Sequence, residues 1–169
     1  MRRLVAFALL FLFIVAGVGC RKKEVTPPIT TDFSCEFRAV YRELAVAGTL
    51  TRHTAGTVLL NFSEPETLSG LTATWDGEAV KLSLLGLEYT VTPESVPEAA
   101  LGKELLAVLD AALRSEGKVT QDGNAIILEG VCNSHDYTYR YHRQSGAPIS
   151  LVVPALPLTV TFENCKTTN

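Results

Sequence analysis

The densest run of reactive side chains is Cys132-Asn133-Ser134-His135-Asp136, continued by Tyr137-Thr138-Tyr139-Arg140-Tyr141-His142. A cysteine three residues ahead of a histidine could pair a thiol nucleophile with its base, or give a metal two ligands. A structural zinc site takes four ligands at recognisable spacings, and the sequence offers no second pair. Strand alternation puts His135, Tyr137, Tyr139 and Tyr141 on one face, with Asp136, Thr138, Arg140 and His142 on the other. That is an ordinary two-faced strand with an aromatic stripe. His53 falls in a turn, where water solvates it, and no glycine-rich loop of the phosphate-binding kind occurs. The expectation is no catalytic residue, no metal, no cofactor and no enzyme activity.

Cys20 has a different chemistry. Arg2 and Arg3 precede a stretch, Leu4 to Gly19, that carries no charge and falls short of the roughly 18 residues expected of a spanning helix. A short basic region, an apolar stretch and a small-residue end make a secretory signal. The stretch ends Ala16-Gly17-Val18-Gly19-Cys20, which resembles the lipobox of bacterial lipoproteins, with Gly17 where that family usually has leucine. The resemblance implies cleavage before Cys20, whose thiol receives a diacylglyceryl group, with palmitate among the expected acyl chains. An uncleaved anchor with an incidental cysteine is the plainer alternative. The expected organisation is a signal peptide at 1–19, the lipidated cysteine and a tether at 20–32, and one domain at 33–169. The protein is then extracytoplasmic, attached to the cell membrane through its N-terminal acyl chains.

Charge agrees with that placement. The formal charge is −3, and losing Arg2 and Arg3 makes the mature chain more acidic still. A nucleic-acid partner calls for a basic face, so none is expected. Arg21-Lys22-Lys23 lies beside the anchor, where it suits anionic headgroups. The next residues, Glu24 to Asp32, contain Pro27-Pro28 and read as an extended tether. With Cys20 acylated, Cys35, Cys132 and Cys165 remain. Export permits a disulfide. In a meander of alternating strands Cys35 and Cys165 fall at the same end, and their pairing would require the sheet edges to approach. Three reduced thiols are the alternative.

From Phe33 onward the pattern alternates with period two between turn signals. Phe33, Cys35, Phe37, Ala39 and Tyr41 form the first run, and the same alternation recurs in Val58, Leu60 and Phe62, in Leu71, Ala73 and Trp75, and in Val80, Leu82 and Leu84, which are expected to share one face of the sheet. Asp76-Gly77 and Asp122-Gly123 are hairpin signals, because tight primed turns need positive φ. Later runs cover Ala125 to Val131, His135 to His142, Pro148 to Val153 and Leu158 to Asn164. Short turns imply antiparallel pairing. One segment breaks the rhythm: Ser95 caps, Pro97 starts, Glu98 completes a capping box, and Leu101, Leu105, Leu106, Leu109, Ala112 and Leu113 recur at helical spacing up to Gly117. The expected fold is α+β: a curved antiparallel sheet of about nine or ten strands, a half-barrel, with an amphipathic helix packed on its concave face.

This order of lipobox, tether, meander, midway helix and final strands resembles the LolA, LolB and LppX superfamily of bacterial lipoproteins and lipoprotein carriers. The local matches are Phe62-Ser63-Glu64-Pro65-Glu66-Thr67-Leu68-Ser69-Gly70, Trp75-Asp76-Gly77 and Ser145-Gly146-Ala147-Pro148. The resemblance implies a half-barrel that holds acyl chains between sheet and helix. The residues separately nominate Leu60, Phe62, Leu71, Trp75, Leu82, Leu84, Leu105 and Leu109 as the lining of an apolar cavity, or as a solid core if one helix covers them fully. Two functions follow. One is a non-catalytic, membrane-anchored binder of a lipid or other apolar ligand. The other is a structural or protein-interaction lipoprotein of the cell envelope with no ligand, whose protein partner the sequence leaves unknown.

Overall fold

The computed structural model describes residues 29–53, 56–95, 97–114 and 117–167. The signal segment, Cys20 and the tether up to Pro28 lie outside the described residues. Eleven antiparallel strands form one sheet: β1 (Phe33–Tyr41), β2 (Leu44–His53), β3 (Thr57–Glu64), β4 (Thr72–Trp75), β5 (Val80–Leu84), β6 (Leu87–Val91), β7 (Lys118–Asp122), β8 (Ala125–Cys132), β9 (His135–His142), β10 (Pro148–Val153) and β11 (Leu158–Thr167). Helix α1 (Pro97–Leu113) joins β6 to β7. All of these elements fall within residues 33–167, and every one except β7 places residues in or against a single apolar core.

The strand order is β6-β5-β4-β3-β2-β1-β11-β10-β9-β8-β7. The edges are therefore β6 and β7, and the first and last strands are neighbours in the middle. α1 connects one edge to the other. It contacts β3, β4 and β5 on one wing and β8 on the other. At a strand spacing of about 4.8 Å, a flat sheet would hold β4 and β8 about 34 Å apart. A helix about 10–12 Å wide can touch both only if the sheet curls around it. The fold is thus an unclosed half-barrel with a helix on its concave side.

Alternation explains most of the strands. In β1 the inward residues Phe33, Cys35, Phe37, Ala39 and Tyr41 are buried while Glu36, Arg38 and Val40 are exposed. Strand β6 escapes that logic because Leu87, Glu88, Tyr89 and Thr90 are all exposed, leaving no contrast between faces. Its position comes from pairing with β5, closed by a turn with Leu85 at φ +52° and Gly86 at φ +81°.

The β1–β11 seam departs from simple alternation at one point. Phe37 pairs with Phe162, and Tyr41 with Leu158, but the register shifts between Ser34 and Glu36, beyond which Phe33 pairs with Thr167. Asn164 takes φ +51° there. Without the extra residue Asn164 would stand across from Cys35; the bulge brings Cys165 there instead, and a disulfide joins Cys35 to Cys165. No approach of sheet edges is involved, because the two strands are central neighbours.

The core is continuous from sheet to helix. Leu101, Leu105, Leu106, Val108, Leu109, Ala111 and Ala112 of α1 are buried against the inner faces of the strands. Gly102 sits over β3 and β4: a methyl group there would lie 3.7 Å from both Leu60 Cδ1 and Trp75 Cβ. Full burial of a leucine is worth roughly 1.5–3 kcal/mol, so this stripe holds the helix in place. The strands between the two wings carry the largest buried side chains, among them Phe33, Phe37, Tyr139 and Tyr141.

Candidate functional site

The eight nominated lining residues divide into three groups. Leu60, Phe62, Trp75, Leu105 and Leu109 meet in the sheet–helix core. Leu71 and Leu82 are half-buried at its margin. Leu84 ends β5 at 37% exposure, on the projecting β5–β6 hairpin. Both Leu60 and Leu105 have 0% exposure. A side chain with no accessible surface borders no space that admits a water molecule, so the interior is filled at these two residues.

One part of the inner face is polar. Arg52, at the end of β2, is buried to 3% exposure and is the sole charged residue buried among those described. Its position follows from pairing with Phe33 across β1–β2, which puts it inward like Val46 and Leu50. One guanidinium nitrogen, Nη1, donates to the Thr31 carbonyl at 2.5 Å, and Nη2 donates to Asp110 Oδ1 on α1, also at 2.5 Å. Nε has no acceptor. Tyr139 lies fully buried on β9 and stacks on Tyr141 at 5.7 Å. Its hydroxyl has no hydrogen-bond partner. Burial pushes the Tyr139 hydroxyl well above the usual tyrosine range, and the positive charge of Arg52 pulls it partly back. Tyr141 is raised by burial as well. Sequence reasoning placed these tyrosines on one face but missed Arg52, although its shared parity with Leu50 was the signal.

The Cys132 region is a hairpin. Cys132 pairs with His135 across the β8–β9 turn, where Asn133 and Ser134 both take positive φ. The thiol donates to the Ala107 carbonyl of α1 at 3.4 Å, and burial raises its pKa. A raised pKa keeps the sulfur protonated, the opposite of an activated nucleophile. Among the described residues no three His, Cys, Asp or Glu side chains converge to hold a metal.

Two further features lie on the outside. A groove of about 390 Å³ crosses the outer face of β11, β1, β2 and β3, lined by Glu36, Arg38, Thr49, Asn61, Glu64 and Glu163 among others. Arg38 and Glu64 pair across it at 3.3 Å, both exposed. At the β5–β6 hairpin, Leu85 is 94% exposed beside Leu84, Leu87 and Tyr89. No described helix is long and apolar enough to cross a membrane.

No family model matches this sequence, and no curated protein matches it. Solved structures do. An uncharacterised conserved protein of Thermus thermophilus aligns over 83% of this chain and 80% of its own, at 12% identity and a TM-score of 0.48. A DUF1329 family protein of Desulfovibrio piger aligns over 82% and 86%, at 11% identity and a TM-score of 0.42. A LolA superfamily protein of Nitrosomonas europaea aligns over 85% and 88%, at 6% identity and a TM-score of 0.35. The unclosed sheet with its helix is the half-barrel that the LolA resemblance implies.

Proposed function

We propose that this protein is a lipoprotein held on the outer side of a membrane by an acylated Cys20, and that its half-barrel takes up an acyl chain or another apolar ligand between sheet and helix. The observation that carries the reading is the construction of the interior. An apolar sheet face is covered by a single helix, lodged between two wings whose edge strands β6 and β7 do not pair with each other. Lifting α1 exposes apolar surface at a cost of about 25 cal/mol per Å², and an inserted acyl chain restores that burial. Binding by replacement needs no preformed space. The Cys35–Cys165 disulfide supports an oxidising, extracytoplasmic location.

The filled surroundings of Leu60 and Leu105 favour a second reading, an interaction module with a solid core. There the exposed β5–β6 hairpin with Leu85, Leu87 and Tyr89 would carry the contact. The two readings separate on uptake. The purified Arg21–Asn169 domain, offered an apolar fluorophore, should bind it saturably and release it to a long-chain fatty acid or phospholipid. Trp75 lies against the helix and its emission should shift on binding. Absence of saturable uptake for every apolar probe would overturn ligand binding and leave the interaction module.

A further inference from the structure

We infer that the free edge of β6 pairs with β6 of a second copy of this chain, antiparallel and centred on Tyr89, which makes the protein a two-fold dimer. The inference names a partner for the exposed β5–β6 hairpin and holds whether or not a ligand enters the half-barrel.

Of the seven large apolar side chains exposed among the described residues, four lie on this hairpin: Leu84, Leu85, Leu87 and Tyr89. Leu82 pairs with Tyr89 and Leu84 with Leu87, so these four share the concave face with Val80 and Ala73. On the convex face Lys81 holds Glu88, the one charged residue of β6, at 2.8 Å. Edge strands that avoid association carry free charges, prolines or bulges. β6 has no proline, and its register with β5 has no shift. The other edge, β7, starts at Lys118 and ends at Asp122.

The β5–β6 turn, Leu85 and Gly86, fixes which backbone groups remain free. Leu84 and Leu87 flank it and exchange hydrogen bonds, and hydrogen-bonded pairs alternate along an antiparallel ladder. Leu87, Tyr89 and Val91 therefore turn N–H and C=O toward β5, while Glu88 and Thr90 turn theirs to the free edge. A two-fold axis at Tyr89 sets Glu88 of each copy opposite Thr90 of the other, so every outward backbone group of both strands finds a partner. An axis at Glu88 would oppose two carboxylates, and one at Thr90 would carry Glu88 past the end of the facing strand. The axis at Tyr89 avoids both faults. It puts Leu87 beside Val91 of the second copy and the two Tyr89 rings side by side, all on the concave faces. Extended past the strand end, the same register brings the tip residue Leu85 level with Pro93 of the second copy. Pro93 borders a hollow of about 290 Å³ lined also by Tyr41, Ala100 and Leu156. Each copy thus offers an exposed leucine and a hollow to receive one, the self-complementarity that a closed dimer requires.

Sedimentation equilibrium of Arg21–Asn169 should show the apparent mass double as concentration rises from about 1 to 100 μM, as befits a small interface. Thr90→Pro removes an outward N–H, spares the ladder to β5, and should raise the dissociation constant about tenfold or more. Leu85→Asn suits the positive φ at the tip, so it should weaken the dimer while keeping or raising the melting temperature. In a Cys132→Ala background, Tyr89→Cys should cross-link two copies on air oxidation, because facing residues of a non-hydrogen-bonded pair stand about 4.5 Å apart. Leu87→Cys, on the same face and similarly exposed, should not. A monomer at every concentration, a dimer weakened by neither Thr90→Pro nor Leu85→Asn, or equal cross-linking of both cysteine variants overturns the pairing. So does a monomer that binds phosphatidylcholine vesicles and loses them in Leu85→Asn, which gives the hairpin to a lipid surface. Each of these results leaves the two readings of function to the uptake assay.

Discussion

Removing the Cys35–Cys165 bridge, by reduction or by Cys35→Ala with Cys165→Ala, tests the link between topology and stability most directly. The two cysteines are 130 residues apart in sequence, so the bond closes nearly the whole domain into a loop. Confining a denatured chain with that closure is worth about 5 kcal/mol at 25 °C by the chain-entropy relation. The native side of the balance changes little. The β1–β11 ladder runs on to Tyr41 and Leu158 without the sulfurs, and Cys35 is a small buried residue that alanine nearly replaces. A domain of this size has about 5–15 kcal/mol in total, so the loss takes a third or more of it. At about 2–4 °C per kcal/mol the melting temperature should fall by about 10–20 °C. Guanidinium titration should show a lower midpoint together with a larger m-value, because the unlinked denatured chain exposes more surface. Alkylation of denatured but unreduced Arg21–Asn169 should label one thiol, Cys132. Three labels without reductant would refute the bridge, and an unchanged midpoint after verified reduction would refute the entropic argument.

Gly48→Ala should cost about 1–3 kcal/mol or more, because the added methyl would fall 1.9 Å from the backbone oxygen of Asn61, and chemical denaturation will register it. Alkaline pH should destabilise the domain: the unfolded chain releases tyrosine protons near pH 10, whereas buried Tyr139 keeps its proton to higher pH. The native state then binds more protons, and its stability falls as pH rises above about 10, by about 1.4 kcal/mol per pH unit for one such group. Urea midpoints from pH 9 to 11 should trace this slope, and Tyr139→Phe should flatten it; an identical slope in the variant would reject the assignment. Cys20→Ala should abolish incorporation of a clickable fatty acid in cells, since two or three acyl chains at roughly 0.8 kcal/mol per buried CH₂ depend on that thiol. Label persisting on the variant would reject the anchor.

Local physics made much of this fold legible in the amino-acid sequence. Phe33 to Tyr41 and His135 to His142 declare themselves as strands because one face is wet and the other dry. The run from Leu101 to Leu113 declares a helix because its apolar residues recur at one-turn spacing behind a capping serine. Asp76-Gly77 marks a hairpin because glycine tolerates positive φ, here +103°. Strand β6 carried no such mark, since all but the last of its residues face solvent and its existence depends on β5. Other features were decided at a distance. That β1 lies beside β11 is a contact between chain ends. The placement of Cys165 opposite Cys35 depends on one bulged residue, Asn164, which no alternation pattern reveals. Arg52 reads locally as the polar end of a strand; it becomes a buried charge because β1 and α1 close over it and Asp110 arrives from far along the chain. Alternation records which way a side chain points, but its burial depends on what else packs there, and that is settled when distant segments meet.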